Sequence, residues 1–335
     1  MIQYGSKSWS KPLVVILHNE ITKESPEDVI DNYTQAVWIA EELKEMQYDV
    51  LTLPFQPSSI ETIHRHFVEN PNLKVVNLVD SEPNHKDLVF RVARILETYR
   101  LPFSGCSSAS LELTTHKVQT KLLLEARGVR TSPWIAEEDW TRFTPNQKYI
   151  VKATSEDASV GLQDDSVLLV HSQVELQERM KSIEEKTSLD LFAEHFIEGR
   201  EFNVCIFGPK DNPTVLPPYE WVFEGFEQRH KEKIINYDAK WTENTFEYEH
   251  VKESYDFVDT DANLVEELQK MALQCWEICG LNGLGRIDFR VDRWGTVWVL
   301  EVNANPSFYG FHNIARKWGL KFKDILLAML EVRDE

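Results

Sequence analysis

The chain has few cysteines, no excess of positive charge and, near its start, no long apolar run. Its four cysteines are scattered without a Cys-x-x-Cys pair, which argues against a disulfide framework and against a zinc cluster. A formal net charge of −19 argues against a nucleic-acid partner, because phosphate backbones are bound by basic surfaces. The apolar run at residues 13–17 is too short for a signal peptide or a membrane span. We therefore expect a cytoplasmic protein that does not use a membrane.

A glycine-rich nucleotide loop is also missing from the N-terminal third, where β-branched runs alternate with helical patterns. The runs lie at residues 13–17, 49–53 and 74–79, and the helical patterns at 32–46 and 59–70. This alternation predicts a doubly wound parallel sheet. The first run is followed by "HNEIT" instead of Gly-x-Gly-x-x-Gly, so a dinucleotide site is not predicted.

Polar residues follow two of these runs. Asn19 and Glu20 come after the first run, and residues 80–82 come after the third. Ligands of open α/β sheets bind at the carboxyl ends of the strands, which makes these residues candidates for substrate contacts. The alternative is that they are ordinary polar loop residues.

The middle of the chain combines a lysine-bearing strand with a small, polar loop. Residues 101–129 run through a Gly/Ser loop into a helix that Gly128 ends, and residues 148–170 form a strand, a loop and a strand. The first of these strands carries Lys152. The lysine and the loop amides could bind phosphates together. The alternative is that Lys152 is only a surface charge.

The segment "RIDFRVDRWGTVWVLEVNANP", residues 286–306, reads as a hairpin with one polar face. If residues 292–295 form a four-residue loop, Val291 pairs with Thr296. The polar face then carries Arg286, Asp288, Glu301 and Asn303, and the apolar face carries Ile287, Phe289, Val291, Trp298, Leu300 and Val302. In this register Arg286 lies opposite Glu301, and Asp288 is a diagonal neighbour of Glu301.

The polar face has two interpretations. It could be a solvated face with a cross-strand ion pair between Arg286 and Glu301. Three oxygen-bearing side chains on adjoining strands are also the donors that Mg²⁺ binds in proteins, with water and phosphate completing its shell. An arginine beside them would suit a phosphoryl group or an oxyanion.

Five segments of the chain occur in a characteristic order: "SGCSSASLELTTHKVQTK", "IVKATSEDASVG", "AEHFIEGREF", "YDAKW" and "GRIDFRVDRWGTVWVLEVNANP". With them the chain resembles the ATP-grasp superfamily, and within it the D-alanine–D-alanine ligase-like branch. The resemblance extends from about residue 100 to the end. It implies an α/β protein with an N-terminal doubly wound parallel-sheet (preATP-grasp) domain, residues 1–108, followed by two α+β subdomains of an ATP-grasp fold. These subdomains are expected at residues 109–187 and at 188–335, which carry the hairpin.

The resemblance also implies a metal and catalytic site. The expected cofactors are ATP and two Mg²⁺ ions, for which Mn²⁺ could substitute. Asp288, Glu301 and Asn303 match the metal ligands of the family. Arg286 matches its arginine beside the reacting acyl phosphate, and Lys240 a basic residue near the γ-phosphate.

Five further positions match the nucleotide-binding residues of the family. Lys117 and Lys152 match the lysines on the phosphates, and Ser159 lies in the loop that would cover them. Glu194 matches an acid near the adenine, and Glu201 matches the acceptor of the ribose hydroxyls.

Three positions depart from the family where it holds D-alanine. "HNEITKES" lacks the glycines of the family and leaves Glu20 for the substrate ammonium. Ser307 replaces a glycine, and His312 replaces a serine. The resemblance therefore implies that ATP chemistry is kept and D-alanine recognition is changed, with Glu20, Ser307 and His312 as candidate substrate residues.

The expected function is that of an ADP-forming carboxylate–amine ligase, which makes an amide or peptide bond through an acyl phosphate. Its partners would be a small-molecule carboxylate and an amine, namely an amino acid or small peptide other than D-alanine. A homodimer is compatible with this expectation. Two alternatives stay open: a true D-alanine–D-alanine ligase, and an ATP-binding pseudoenzyme without turnover. The complete set of Asp288, Glu301 and Asn303 favours turnover.

Overall fold

The computed structural model describes residues 11–82, 85–136, 139–155, 162 and 164–331. Over these residues the chain forms one parallel sheet and two antiparallel sheets, with helices packed on them. No helix in the described ranges is both long enough and apolar enough to cross a lipid bilayer. The α/β class expected from the sequence is confirmed.

The first sheet is the parallel sheet expected for the N-terminal third. Its strands β1 (Leu13–His18), β2 (Asp49–Pro54) and β3 (Lys74–Asn77) are arranged in the order β2-β1-β3. Helices α1 (Glu27–Glu45), α2 (Pro57–Glu69) and α3 (Leu88–Thr98) connect and cover them. All six side chains of β1 are buried, as expected for a central parallel strand that is packed on both faces. The third strand ends at Asn77 and is two residues shorter than predicted.

The second sheet follows a pair of short helices, α4 (Ser108–Thr115) and α5 (Lys117–Ala126). The single helix predicted here is wrong, because His116 adopts φ −87° and ψ 86° and interrupts it. Gly128 does follow the end of α5, with φ +76°. Strands β4 (Trp134–Ala136), β5 (Gln147–Ala153), β6 (Val167–Val170) and β7 (Leu191–His195) form an antiparallel sheet in the order β4-β7-β5-β6, and helix α6 (Gln173–Thr187) packs on it.

The third sheet contains six strands: β8 (Gly199–Gly208), β9 (Thr214–Val215), β10 (Tyr219–Phe223), β11 (Val251–Ser254), β12 (Gly283–Asp292) and β13 (Val297–Asn303). Its order is β11-β10-β8-β12-β13, with β9 paired to β8. The helices are α7 (Tyr237–Trp241), α8 (Phe246–His250), α9 (Ala262–Cys279), α10 (Phe308–Lys317) and α11 (Phe322–Leu330). The "YDAKW" segment, predicted within a loop, is the short helix α7, which Asn236 caps by accepting from the Ala239 amide.

The register of the β12–β13 hairpin differs from the predicted one. Val291 pairs with Val297, not with Thr296, because the loop has three residues. Asp292 and Thr296 close this loop through an Asp292 N to Thr296 O bond of 3.1 Å. Gly295 takes the positive φ of +82° that a three-residue hairpin loop requires.

A β-bulge follows in the same hairpin and changes which side chains face the core. The pairing skips Leu300, so that Asp288 lies directly opposite Glu301. Arg286 consequently lies opposite Asn303, and its predicted pairing with Glu301 is wrong. Trp298 and Leu300 were both predicted in the core, but both are only partly buried, and Leu300 lines a cleft. The core positions on β13 are Val297, Val299 and Val302.

Apolar packing joins the parallel sheet to the C-terminal part of the chain. One hydrophobic cluster contains Ile16 of β1, Ile39 of α1, Phe311 of α10 and Ile325 of α11, and all four are fully buried. Helix α9 packs Trp276 on the inner face of the six-stranded sheet. The parallel sheet is therefore held against the hairpin, and the ends of its strands open towards the polar face of the hairpin.

Candidate active site

A cleft between the two antiparallel sheets encloses about 990 Å³ of empty space. The four-stranded sheet contributes Lys152 and Glu194, and the six-stranded sheet contributes Glu201, Asp288 and Glu301. Lys117, at the start of α5, and Lys240, on α7, also line it. Arg286 lines the cleft too, so the structure brings together eight of the residues that the sequence marked as functional.

The lysines at one end of the cleft surround a buried carboxylate. The Lys152 Nζ lies 2.6 Å from Glu194 Oε1. Glu194 is only 1% exposed. Its burial alone would raise its pKa, but Lys121 and Lys152 hold the pKa of this carboxyl at about 2. Glu194 is therefore ionised and holds Lys152 at the wall of the cleft.

The polar face of the hairpin supplies a continuous set of hydrogen bonds. Arg286 binds Asp288 with two bonds, Nε to Oδ1 at 2.7 Å and Nη2 to Oδ2 at 2.9 Å. Asn303 Nδ2 donates to Asp288 Oδ2 at 3.2 Å and to Glu301 Oε1 at 3.1 Å. Asn203, on β8, donates to the other oxygen of Asp288. These bonds fix the side chains of the polar face relative to one another.

The two facing carboxylates of the hairpin titrate differently. Burial raises the pKa of Asp288 to about 6, although Arg286 opposes this rise. Burial also disfavours the charged form of Glu301, but Lys117, Lys152 and Lys240 outweigh it and lower the pKa of Glu301. Two carboxylates this close cannot both ionise without added positive charge. Their arrangement is one that a bound cation would stabilise.

The donor set fits the Mg²⁺ that the resemblance implies. Asp288 and Glu301 offer carboxylate oxygens on adjoining strands, and Mg²⁺ prefers such hard donors. Asn303 donates its Nδ2 to both carboxylates, so its amide would have to turn over to offer Oδ1 to a metal. Over the described part of the chain, no group of three or more His, Cys, Asp or Glu side chains could hold a metal by itself. A metal at the hairpin would therefore take its remaining oxygens from phosphate and water.

Glu201, also in the lining of the cleft, is held by an arginine that sequence reasoning missed. The Arg290 Nη2 lies 2.7 Å from Glu201 Oε2. Nη1 of the same arginine donates to the carbonyls of Ile197 and Gly199 at 3.4 Å. Its guanidinium also lies 5.2 Å from the ring centroid of Phe196. Arg290 thereby fixes the carboxylate of Glu201 and the turn between β7 and β8.

A second chamber adjoins the cleft and reaches the ends of the parallel strands. It encloses about 1730 Å³ of empty space. Lys240, Arg286 and Trp221 line both cavities. Four acidic side chains line this chamber: Asp31, Asp80, Glu82 and Glu253. The chamber therefore combines a negative wall with two basic residues at the junction.

Asn19 and residues 80–82, which the sequence marked as substrate candidates, lie in this chamber. Asn19 Nδ2 donates to the Asp80 carbonyl at 2.9 Å and to Glu82 Oε1 at 2.8 Å. The Asp80 amide donates back to Asn19 Oδ1 at 2.9 Å. Because Asn19 is 2% exposed, these bonds fix the acidic strand end against β1.

The three expected substrate residues are placed differently from one another. Ser307 lines the chamber, caps α10 and donates to Gln35 Oε1 at 3.3 Å. Glu20 is exposed and accepts from Gln56 Nε2 at 2.9 Å, away from both cavities. His312 packs its ring edge-on against Trp38, with 4.9 Å between the ring centroids. The structure thus brings only Ser307 to the chamber.

Ser159, expected in the loop over the phosphates, lies outside the described residues. Two further residues at the site were not singled out from the sequence. Arg290 shares the period-two alternation of Arg286 and Asp288 and could have been found from it. Lys121 follows Lys117 by one helical turn, a spacing that also places it on the same helix face.

A family model described as "D-ala D-ala ligase C-terminus" matches residues 133–331. The match covers more than half of the chain. The chain belongs to this family, within the D-alanine–D-alanine ligase-like branch of the ATP-grasp superfamily. The resemblance found in the sequence is therefore confirmed.

Two relatives show how far the similarity reaches. A D-alanine–D-alanine ligase of Aquifex aeolicus is 28% identical over 252 residues, which are 71% of this chain and 76% of the relative. An uncharacterized protein of Sinorhizobium fredii, y4sG, is 27% identical over 270 residues, 79% of this chain and 76% of that protein. Both similarities extend beyond the family model into the N-terminal part.

Solved structures show the same fold over nearly the whole chain. A D-alanine–D-alanine ligase from Bacillus anthracis, complexed with ATP, matches with a TM-score of 0.66 at 17% identity, covering 96% of both chains. D-alanyl-alanine synthetase A from Vibrio cholerae matches with a TM-score of 0.68 at 16% identity, covering 96% of this chain and 98% of that one. At these identities the likeness establishes the fold.

Proposed function

We propose that the protein is an ATP-dependent carboxylate–amine ligase that forms an amide or peptide bond through an acyl phosphate and releases ADP and phosphate. One observation supports this most strongly. The cleft contains the lysines and the facing carboxylates, and it adjoins the acidic chamber. Lys240 and Arg286 line both cavities. A nucleotide in the cleft and a small molecule in the chamber would therefore meet at these two basic side chains.

The side chains of the cleft can each be given a task in this reaction. Lys117 and Lys152 would bind the phosphates, because ammonium groups form charge-assisted bonds to phosphate oxygens. Glu201, fixed by Arg290, would accept bonds from the ribose hydroxyls, and Glu194 would lie near the adenine. Mg²⁺ at the hairpin would supply the positive charge that phosphoryl transfer requires.

At the junction, Lys240 and Arg286 would act on the reacting groups. Burial and the neighbouring Arg286 lower the pKa of Lys240, so its charge depends on the acidic groups around it. Arg286 binds Asp288 through Nε and Nη2, and Nη1 is the nitrogen that these bonds do not use. We propose that Arg286 stabilises the oxyanion that forms when the amine attacks the acyl phosphate.

We further propose that the substrate is an amino acid or small peptide other than D-alanine. The four carboxylates of the chamber suit a substrate with an ammonium group. Glu20 and His312, the replacements for the family's ammonium and carboxylate contacts, do not reach the chamber. A small amino acid would therefore be held by other residues here, and reacting groups that are misplaced by about one ångström lose about a hundredfold in rate.

One relative and one pairing of side chains bear on the alternatives. The relative from Aquifex aeolicus is named a D-alanine–D-alanine ligase, which supports D-alanine as the second candidate substrate. A pseudoenzyme that only binds ATP is the third candidate. The pairing of Asp288 with Glu301 argues against it, since a protein that binds ATP without turnover has little use for two facing carboxylates beside the phosphates.

The test is ATP consumption against a panel of L- and D-amino acids and dipeptides, with mass spectrometry of the products. The proposal expects ADP release that requires both an acid and an amine, and a product whose mass equals their sum less one water. Preferred synthesis of D-alanyl-D-alanine would establish the second candidate. ATP binding without consumption for any pair would establish the third.

A further inference from the structure

A buried lysine lies behind the wall of the cleft, in contact with the carboxylate that holds Lys152. Lys121, on α5, is 2% exposed. Its Nζ lies 2.6 Å from Glu194 Oε2 and also donates to Thr131 Oγ1 at 2.6 Å and to Ser132 Oγ at 3.3 Å. These three acceptors match the three hydrogens of an ammonium group. Burial lowers the pKa of Lys121, but the charge of Glu194 opposes this shift, and the three acceptors favour the ammonium form. Lys121 does not line the cleft.

Glu194 bridges two lysines with its two oxygens. Oε2 faces Lys121, and Oε1 lies 2.6 Å from Lys152 Nζ. Of the two lysines, only Lys152 lines the cleft, where 20% of its side chain is exposed. The cluster of Lys121, Glu194 and Lys152 thus has two positive charges and one negative charge, and its unbalanced positive charge faces the cleft.

The net charge of this cluster decides whether Lys152 can bind a phosphate of the ligand. Without Lys121, Lys152 would be the sole cation bound to Glu194 in the cluster, and their charges would cancel. Moving Lys152 towards a phosphate would then leave a buried carboxylate without compensation, which is strongly unfavourable. With Lys121 in place, Glu194 keeps a partner when Lys152 turns to the ligand.

We propose that Lys121 is a positioning residue of the nucleotide site: it neutralises Glu194 from behind, so that the positive charge of Lys152 is available to the nucleotide phosphates. This inference rests on the proposed nucleotide-binding function. Lys121 itself would not touch the nucleotide. Its contribution would be the charge state of the Glu194–Lys152 pair.

The test is nucleotide binding by the full chain, measured by calorimetry with ADP and with MgATP. Lys121→Met should weaken binding by about tenfold or more, because it cancels the positive charge that a charge-assisted phosphate contact needs. Lys121→Arg, which keeps the charge, should bind within about threefold of the wild type. The double variant Lys121→Met/Glu194→Gln removes one charge of each sign. Because Glu194 is itself proposed to lie near the adenine, the readout for this variant is the ratio of ADP affinity to adenosine affinity, which Lys121→Met should lower and the double variant should largely restore.

The double variant separates this inference from a purely structural role, and it also avoids leaving a buried carboxylate unpaired if the single variant does not fold. A structural role would leave the ratio of ADP affinity to adenosine affinity in the double variant at least as low as in Lys121→Met, and that result would overturn the inference. So would wild-type affinity in Lys121→Met.

Lys181→Met removes an exposed lysine on α6 and controls for net charge, with unchanged binding expected. Absence of nucleotide binding by the wild type would overturn the proposed function as well.

Discussion

Asp288 and Glu301 lie directly opposite each other across strands β12 and β13, whereas the sequence predicted them as diagonal neighbours, a difference of two residues in register. The three-residue loop accounts for one residue of this difference, and the bulge at Leu300 accounts for the other. This pairing places the two carboxylates against Lys117, Lys152 and Lys240, which lower the pKa of Glu301. The arrangement concentrates negative charge at one point of the cleft wall and surrounds it with positive charge.

If these carboxylates support phosphoryl transfer, Asp288→Asn and Glu301→Gln should each lower turnover by at least about a hundredfold, as loss of a key electrostatic group does. Glu301→Gln keeps the side-chain shape, so its free energy of unfolding should change little, whereas Asp288→Asn also breaks the buried pair with Arg286 and should lose about 3 kcal/mol. ATP consumption and chemical denaturation measure the two quantities.

Asp292→Asn is the matched control in the same hairpin. Asp292 accepts from the amides of Trp294 and Thr296, so this variant should lose stability but keep turnover. Normal turnover in either site variant would mean that the polar face is only solvated.

The second prediction concerns Lys152. If Lys152 binds the nucleotide phosphates as proposed, replacing it with alanine removes a charge-assisted contact, and nucleotide affinity should fall by at least about tenfold. Lys148→Ala is the control on the same strand, because Lys148 pairs with Glu198 and Glu232 instead of lining the cleft. Calorimetry with ADP and ATP should show weaker binding for the first variant alone. Equal nucleotide affinities of Lys152→Ala and Lys148→Ala would mean that Lys152 is only a surface charge.

In the β12–β13 hairpin, the sequence predicted which polar side chains share a face but not the register of the two strands. Alternation along a strand predicts which side chains share a face, and it correctly grouped Arg286, Asp288, Glu301 and Asn303. The register depends on the length of the loop and on the bulge at Leu300, and neither leaves a clear signal in an alternating pattern. A shift of one residue was enough to place Trp298 and Leu300 wrongly in the core.

The third prediction concerns acid stability. The folded pKa of Glu194 is about 2, below its ordinary value of 4.5, so the unfolded chain binds the proton more tightly than the folded one. The stabilisation is therefore complete above about pH 4.5 and is lost as the pH falls towards 2. Glu194→Gln should remove this dependence, so that the difference in unfolding free energy between wild type and variant shrinks over this range. A difference that stays constant with pH would contradict the assigned pKa.

The fourth prediction tests the turn that joins the two sheets. Gly199 has φ +152°, and a Cβ there would overlap the carbonyl oxygen of Val291. Gly199→Ala should therefore cost about 3 kcal/mol of unfolding free energy, from backbone strain and from the clash. At Gly295, with φ +82°, a Cβ would meet open space, so Gly295→Ala should cost only about 1 to 2 kcal/mol. Denaturant titration measures both, and equal costs would mean that the strand spacing relaxes at Gly199.

The positions of the residues expected to bind substrate were harder to predict than those of the residues expected to bind nucleotide. The side chains expected to bind nucleotide lie on strands and helices whose positions follow from local patterns and from the family resemblance. The positions of the Glu20 and His312 side chains depend on the direction of a loop and of a helix face. Tertiary contacts set these directions, with Gln56 for Glu20 and with Trp38 for His312. The acidic chamber is built from segments far apart in sequence, such as Asp31, Asp80 and Glu253, so its charge could not be recognised from any single stretch.

The most direct test of the proposed chemistry is to trap the activated acid. The protein is incubated with MgATP, a carboxylate substrate found in the amino-acid panel and hydroxylamine in place of the amine. An acyl phosphate predicts a hydroxamate of that acid, formed in step with ADP and phosphate and greatly reduced in Glu301→Gln. Release of AMP and pyrophosphate would contradict the account, because it would show that the carboxylate is activated by adenylation.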